Sequence, residues 1–249
     1  EALRLFFEGR AGSIEGRPTL EDLCYASGRE PRLWTRREMI ADLTTSIVEQ
    51  AGVTASSSVL EVGCGTGFIA RAIAPRVARY TGVDVAEGAV QVARRLELAN
   101  AAFELGEGSR LRFADGVFDA ALCHDVLTNL PRFDDGVDLI AEMVRVVRPG
   151  GRALVGSVPD VAHRATFERR VAEVSRHLEA TYGPLKSRPE PVAGGVDGVM
   201  PGVVCYYFAR EDFVELGERL GVATEIRDIH RANPYFGYRF NVVYRKPRG

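Results

Sequence analysis

The sequence predicts an α/β fold: an open, largely parallel sheet with helices on both faces. Three observations carry that reading. The run Val59-Leu60-Glu61-Val62 has the β-favouring, apolar character of a short buried strand interrupted by one carboxylate. Glycines follow at alternate positions, Gly63, Gly65 and Gly67, and then Ile69, Ile73 and Val77 recur at helical spacing. A second strand, Thr81-Gly82-Val83-Asp84-Val85, brings an acid about 20 residues beyond the turn. Strand, glycine turn and helix form half of a βαβ unit, and ligands of open α/β sheets sit outside such strand ends. Glycine lets the backbone bend sharply there and approach a ligand with no Cβ between.

The elements follow in order. Residues 1–35 mix Leu3, Leu5, Phe6 and Phe7 with glycines and Pro18, then Leu20, Leu23 and Tyr25, which predicts one or two short helices outside the sheet. Met39, Ile40, Leu43, Ile47 and Val48 share one helical face over 36–51, and Gly52 ends that helix. Val90, Ala93 and Leu96 mark a helix over 86–99. Phe118 to Cys123 reads as a strand buried on both sides, through Ala120-Ala121-Leu122. Val137, Ile140, Met143, Val144 and Val147 supply the next helix, which Pro149-Gly150 stops, and Arg152 to Val158 forms a further strand. Between 159 and 208 the alternation lapses. Val161, Phe167, Val171, Val174 and Leu178 predict one amphipathic helix with Arg164, Arg169, Arg170 and Arg176 outward, and a Pro- and Gly-rich loop follows from Gly183 to Gly202. Phe213, Leu216 and Leu220 mark a last helix before strands at Ala223 to Ile229 and Phe240 to Tyr244.

The turn excludes two common ligands. A dinucleotide loop reads G-x-G-x-x-G, but here Gly67 arrives one position early and Phe68 fills the slot; no Gly-Lys-Ser/Thr follows, so it is not a phosphate loop. Glu61 would face a pyrophosphate badly but suits a ligand ammonium. Asp84 stands where an acid accepts ribose hydroxyls. An adenosine with an ammonium and no pyrophosphate describes S-adenosyl-L-methionine (SAM). The segment Val59 to Ala70 resembles motif I of class I SAM-dependent methyltransferases. Phe103-Glu104-Leu105-Gly106-Glu107-Gly108, with Leu111 to Asp119, is similar to that family's "GDA…LPF.DGSFD" region, and Val147-Arg148-Pro149-Gly150-Gly151 to its "LKPGG" turn. The resemblance runs from about residue 36 to 158 in unbroken order.

The resemblance implies a Rossmann-like, doubly wound seven-stranded sheet of order 3-2-1-4-5-7-6, strand 7 antiparallel. The whole chain, 1–249, is then a single domain with an N-terminal helical arm over 1–35 and a cap-like insert over about 159–208 that recognises the acceptor. It implies SAM as cofactor, held by Glu61, Gly63, Gly65, Gly67, Asp84 and Val85, with Glu107 and Gly108 at the adenine. Cys123 ends the strand that borders the cofactor's methyl and is counted with these residues, although it also reads as a packing residue. In the family such an arm closes over the cofactor, and Tyr25, Trp34, Arg36 and Arg37 are placed to do so. Trp34 reads equally as a residue packing the arm onto the core.

Composition bounds the partners. The chain has 249 residues, 46% hydrophobic and 27% charged, which is globular rather than disordered or membrane-like. A net charge of -2 without a dense basic block makes nucleic acid an unexpected partner. Cys24, Cys64, Cys123 and Cys205 are widely spaced without a C-x-x-C pair, and no metal cluster or signal-peptide pattern is recognisable; a reduced, cytoplasmic setting is expected. No apolar run approaches membrane-span length. The oligomeric state is not readable.

Methyl transfer from a sulfonium is an in-line displacement in which alignment supplies roughly 7–11 kcal/mol, and a base is needed only where the acceptor's proton must leave early. The position for one is just past the fourth strand, at His124 in Cys123-His124-Asp125-Val126. There His124 is either a base or a residue lining the pocket, and Asp125 either orients the imidazole or caps the next helix. His163, His177 and His230 read as surface or locally satisfied residues. Asn233-Pro234-Tyr235-Phe236 reads as a turn whose aromatics cover the pocket, while Tyr206, Tyr207 and Phe208 are acceptor-binding or packing aromatics. The leading expectation is methylation of an oxygen or nitrogen of a small molecule, a natural product or sugar. The alternatives are a methyltransferase acting on RNA or protein, and a non-catalytic partner subunit of the same fold.

Overall fold

The structure is a computed structural model that describes residues 2–183 and 205–248. Its strands are β1 (Ser58–Val62), β2 (Arg79–Asp84), β3 (Ala101–Leu105), β4 (Phe118–His124), β5 (Val147–Pro159), β6 (Ala223–Asp228) and β7 (Arg239–Arg245). They form one sheet of order β3-β2-β1-β4-β5-β7-β6. The pairs from β3 through β5 are parallel, and β7 runs antiparallel to both β5 and β6. The order of the strands is therefore the expected one.

The helices are α1 (Ala2–Gly12), α2 (Leu20–Ala26), α3 (Pro31–Trp34), α4 (Arg37–Ala51), α5 (Phe68–Ile73), α6 (Glu87–Arg94), α7 (Asp134–Val146), α8 (Arg164–Tyr182) and α9 (Arg210–Arg219). The sheet separates two cores. On one face Leu23, Trp34, Leu43, Phe68, Ile69 and Val90, from α2 to α6, pack with Val59, Ala120 and Leu122. On the other, Leu139, Ile140, Met143, Phe213 and Leu216, from α7 and α9, pack with Leu60, Ala121 and Cys123. Successive residues of β1 and β4 thus serve opposite cores, as the two-residue period of a strand requires.

Several boundaries differ from the sequence reading, each for a local reason. The arm holds three helices rather than one or two. A capping box opens α2, with Thr19 and Asp22 each satisfying the other's backbone N–H, and Pro31 opens the single turn of α3. Helix α5 ends at Ile73 and gives way to a 3₁₀ turn at Ala74–Arg76, because Pro75 supplies no N–H to continue it; Val77 lies beyond it. Helix α6 stops at Arg94, where the Arg95 N–H bonds back to the carbonyls of Val92 and Ala93. Gly52 ends α4 in the left-handed conformation, φ 64°. Strand β5 begins at Val147, before Pro149. Residues 184–204 of the expected insert, with most of the Pro- and Gly-rich loop, lie outside the described residues.

Candidate active site

The C-terminal ends of β1, β2 and β4 open onto one cavity of about 420 Å³. Its floor is the turn after β1. The N–H groups of Gly63 and Cys64 both donate to the Val83 carbonyl, at 2.8 and 3.1 Å, and tie the turn to β2. The three glycines there do different work. A Cβ on Gly63 would lie 2.3 Å from Val126 Cγ2, and one on Gly67 2.5 Å from Leu96 Cδ1. A Cβ on Gly65 would meet nothing within 4 Å. Gly63 and Gly65 line the cavity, so Gly65 is where bare backbone faces open space, whereas Gly67 packs against α6 and does not line it.

Asp84 ends β2 beside this turn. Its Oδ2 accepts the Gly65 N–H at 2.7 Å and its Oδ1 the Ala86 N–H at 2.9 Å, which fixes the carboxylate's orientation. Burial pushes its pKa up, and those backbone hydrogen bonds pull against that rise. Glu61 is 1% exposed and accepts the Tyr80 hydroxyl through Oε2. Burial pushes its carboxyl up to about 7, opposed in part by that hydrogen bond. Val85, Glu107 and Gly108 line the same end. A Cβ on Gly108 would lie 2.4 Å from Val62 Cγ1, so a glycine lets this turn close onto β1. The arm covers this end: Arg4 and Phe7 line the cavity, and the Glu8 carboxylate caps α6 by accepting the N–H groups of Glu87 and Gly88, each at 2.7 Å.

The other end is built around Asp125, which adopts φ 61° just past β4. Its carboxylate accepts Arg29 Nη2 at 2.7 Å and Arg239 Nη1 at 2.9 Å, and lies 3.3 Å from His124 Nδ1. Burial alone would raise its pKa, but Arg29, His124 and Arg239 hold it well below the usual carboxylate range. His124 is buried and lines the cavity. Its neighbour Cys123 points the other way, into the core against α7, and is not among the lining residues. Trp34 is fully buried and lines the cavity, edge-on to Phe68 with ring centroids 6.1 Å apart. It therefore packs the arm and faces the site at once.

Whether the cavity suits SAM is testable on its own atoms. Trp34 Nε1, Thr66 Oγ1 and the Nε of Arg29 are buried without a hydrogen-bond partner, and all three residues line it. Buried polar atoms ordinarily have partners. With the open backbone at Gly65 and the fixed carboxylate of Asp84, these are the donors and acceptors that a zwitterionic nucleoside would satisfy.

A family model described as a methyltransferase domain matches residues 60–155. Residues 60–155 thus carry a methyltransferase domain, in a sheet whose strand order is that of class I SAM-dependent methyltransferases. Similar proteins include a fatty-acid O-methyltransferase of Mycolicibacterium smegmatis, 40% identical over 179 residues, which are 64% of this chain and 63% of that protein. A ubiquinone biosynthesis O-methyltransferase of Pseudomonas paraeruginosa is 34% identical over 116 residues, 45% of this chain and 48% of the relative. The chain thus spans about half the length of the second relative and less than two thirds of the first. Among solved structures, the magnesium protoporphyrin IX methyltransferase of Synechocystis, determined with bound SAH, has a TM-score of 0.57. It is 14% identical and covers 97% of this chain and 94% of its own, a likeness of fold.

In the structure the sequence-derived residues Trp34, Glu61, Gly63, Gly65, Asp84, Val85, Glu107, Gly108 and His124 meet at one cavity, and Gly67 and Cys123 stand outside it. Tyr25, Arg36 and Arg37 are not among the lining residues either; Arg36 instead bonds the carbonyls of Leu33 and Ala232. The arm's contribution is Arg29, which sequence reasoning missed, stacked 4.5 Å from the Phe68 centroid. Also missed were Phe167, Cys205 and Arg239, which line the far end with Tyr235. Asp125 caps no helix, because the 3₁₀ turn after it has no side-chain cap. His163 and His177 are exposed, and His230 is buried beside Asp42 and Asn233, away from the cavity.

Proposed function

We propose that this protein transfers a methyl group from SAM to an oxygen atom of a small molecule. The observation that carries the reading is one continuous cavity in which the fixed carboxylate of Asp84 and the open backbone of Gly65 stand at one end, and His124, Asp125 and Arg239 at the other. Asp84 and Val85 would hold the ribose, Glu107 and Gly108 the adenine, and Gly63 and Gly65 the methionine backbone. Glu61 would face the ammonium and Arg29 the carboxylate, with Trp34 closing the wall. SAM, when bound, supplies an electrophilic methyl on a sulfonium, so the chain's own task is alignment and exclusion of water. Arg29 and Phe68 stack beside the glycine turn and limit how that part of the ligand can lie.

His124 would serve as proton acceptor for a hydroxyl nucleophile. Its Nδ1 faces Asp125 Oδ2, which favours the proton on Nδ1 and leaves the lone pair on Nε2. The names of the O-methyltransferase relatives support oxygen as the acceptor atom. The near-neutral charge supports a small molecule rather than nucleic acid. No helix among the described residues is long and apolar enough to cross a membrane, and we place the protein in the cytoplasm, as one domain with an arm over 1–35 and a cap-like insert over about 159–208. Incubation with methyl-labelled SAM and a metabolite extract should give a labelled small product. Label only in RNA or protein, or no binding of S-adenosylhomocysteine (SAH) by calorimetry, would overturn the reading.

A further inference from the structure

Two guanidiniums at the acceptor end share one carboxylate. Among the described residues Asp125 is the only acid hydrogen-bonded to either Arg29 or Arg239. The two face different parts of the cavity. Arg29 stacks on Phe68 and Trp34, beside the glycine turn. Arg239, the first residue of β7, stacks on Tyr235 at 4.2 Å from the ring centroid and lies 5.7 Å from that of Phe167. Both arginines are 92% buried, being 8% exposed.

The hydrogen-bond inventory of Arg239 is incomplete. Its Nη1 donates to Asp125 Oδ1 at 2.9 Å and to the Oγ and carbonyl of Ser157 at 3.2 and 3.3 Å. Among the described residues its Nη2 reaches only the Cys205 sulfur, at 3.9 Å, and its Nε has no partner. Nε and Nη2 share one side of the guanidinium plane and form the fork that accepts a carboxylate through two parallel hydrogen bonds. An edge so nearly buried and so poorly paired costs free energy until an acceptor reaches it. The irregularity of β5 between Val155 and Val158 holds the opposite edge. Ser157 takes φ 61° there, which turns its carbonyl and hydroxyl onto Nη1, while Arg239 itself lines the cavity with its Nε buried and unpaired.

Around that fork the wall is apolar. Phe167 of α8 packs against Tyr235, Tyr238 and Tyr207, with centroids 5.4, 5.6 and 6.2 Å away. We infer that the methyl acceptor carries an organic carboxylate apart from the hydroxyl it presents to His124. The carboxylate's two oxygens lie on the Nε–Nη2 edge of Arg239 and its hydrocarbon or aryl body against Phe167 and Tyr235, while the hydroxyl oxygen takes the methyl as the sulfonium bond breaks and His124 takes its proton. The inference rests on the cofactor reading above and narrows its acceptor. Arg239 is then a specificity-determining residue, and the acceptor anion pairs its open edge as the cofactor's carboxylate pairs Arg29.

The test is calorimetry on the full chain saturated with SAH. Octanoate and octanamide form one pair of probes, 3-phenylpropanoate and 3-phenylpropanamide the other. At least one acid should bind about ten-fold or more tightly than its amide, the discrimination expected where a charge-assisted fork loses its anion. Arg239→Gln should bring that acid down to the amide's affinity while SAH still binds, and Arg239→Lys should recover part of the preference. Amides binding as tightly as acids, neither acid binding, or an acid preference that survives Arg239→Gln would each overturn the assignment. The acid-against-amide comparison needs no variant, so a poorly folded Arg239→Gln protein does not remove the test. Absence of SAH binding to the unaltered protein would instead end the cofactor reading itself.

Discussion

Glu61 gives the sharpest test of the site's electrostatics without any ligand. Burial moves its carboxyl from the ordinary 4.5 to about 7, with the Tyr80 hydroxyl pulling partly the other way. The folded protein therefore binds that proton more tightly than the unfolded chain does. Below about pH 4.5 both states are protonated and the stabilising contribution is whole; it is lost as pH rises toward 7, because the native state must then bury a charge. Each tenfold in proton affinity is about 1.4 kcal/mol, so linkage between about pH 5 and about pH 8 removes about 2.5 kcal/mol. His230 slopes the other way. Burial lowers its pKa from 6.5 to about 4, so its contribution is present above 6.5 and lost as pH falls toward 4. The raw stability profile mixes the two, and the informative quantity is a difference between proteins. Glu61→Gln keeps an oxygen for the Tyr80 hydroxyl and cannot ionise. Urea unfolding of both proteins at about pH 5 and about pH 8 should show the variant gaining about 2.5 kcal/mol on the wild type across that interval. Parallel profiles would refute the claim that burial raises the Glu61 carboxyl against the opposing pull of Tyr80 and Arg29.

Asp84→Ala should weaken SAH binding about 10- to 100-fold, the worth of hydrogen bonds from ribose hydroxyls to a fixed carboxylate; unchanged affinity by calorimetry would remove Asp84 from the site. Gly65→Ala and Gly67→Ala should part company. The first places a methyl in open space at φ 50° and should lose SAH affinity for about 1 kcal/mol of stability. The second forces a Cβ to within 2.5 Å of Leu96 and should cost about 1 to 3 kcal/mol more in urea unfolding. Asp125→Asn tolerates the positive φ but leaves two buried guanidiniums uncompensated, so stability should fall by about 3 kcal/mol or more; a change under about 0.5 kcal/mol would mean that water reaches both arginines.

Local chemistry in the chain determined much of this protein. Glycines at 63, 65 and 67 between an apolar run and a helical period place a turn at a strand end whatever surrounds it, and Asp84 follows at the distance one βαβ unit spans. The resemblance over 36–158 then implied the strand order that the sheet adopts. Nothing local distinguishes Gly65, which faces open space, from Gly67, which packs on Leu96, because that difference depends on what lies opposite. The same holds at the acceptor end. Arg29 and Arg239 are two among many arginines, and they become a pair only when the arm and the last strand both reach Asp125, whose positive φ no sequence period announces. Periodicity reports one element at a time. A charge cluster assembled across the sheet from residues 29, 125 and 239 is set by packing, so tertiary structure alone decided which arginines belong to the site.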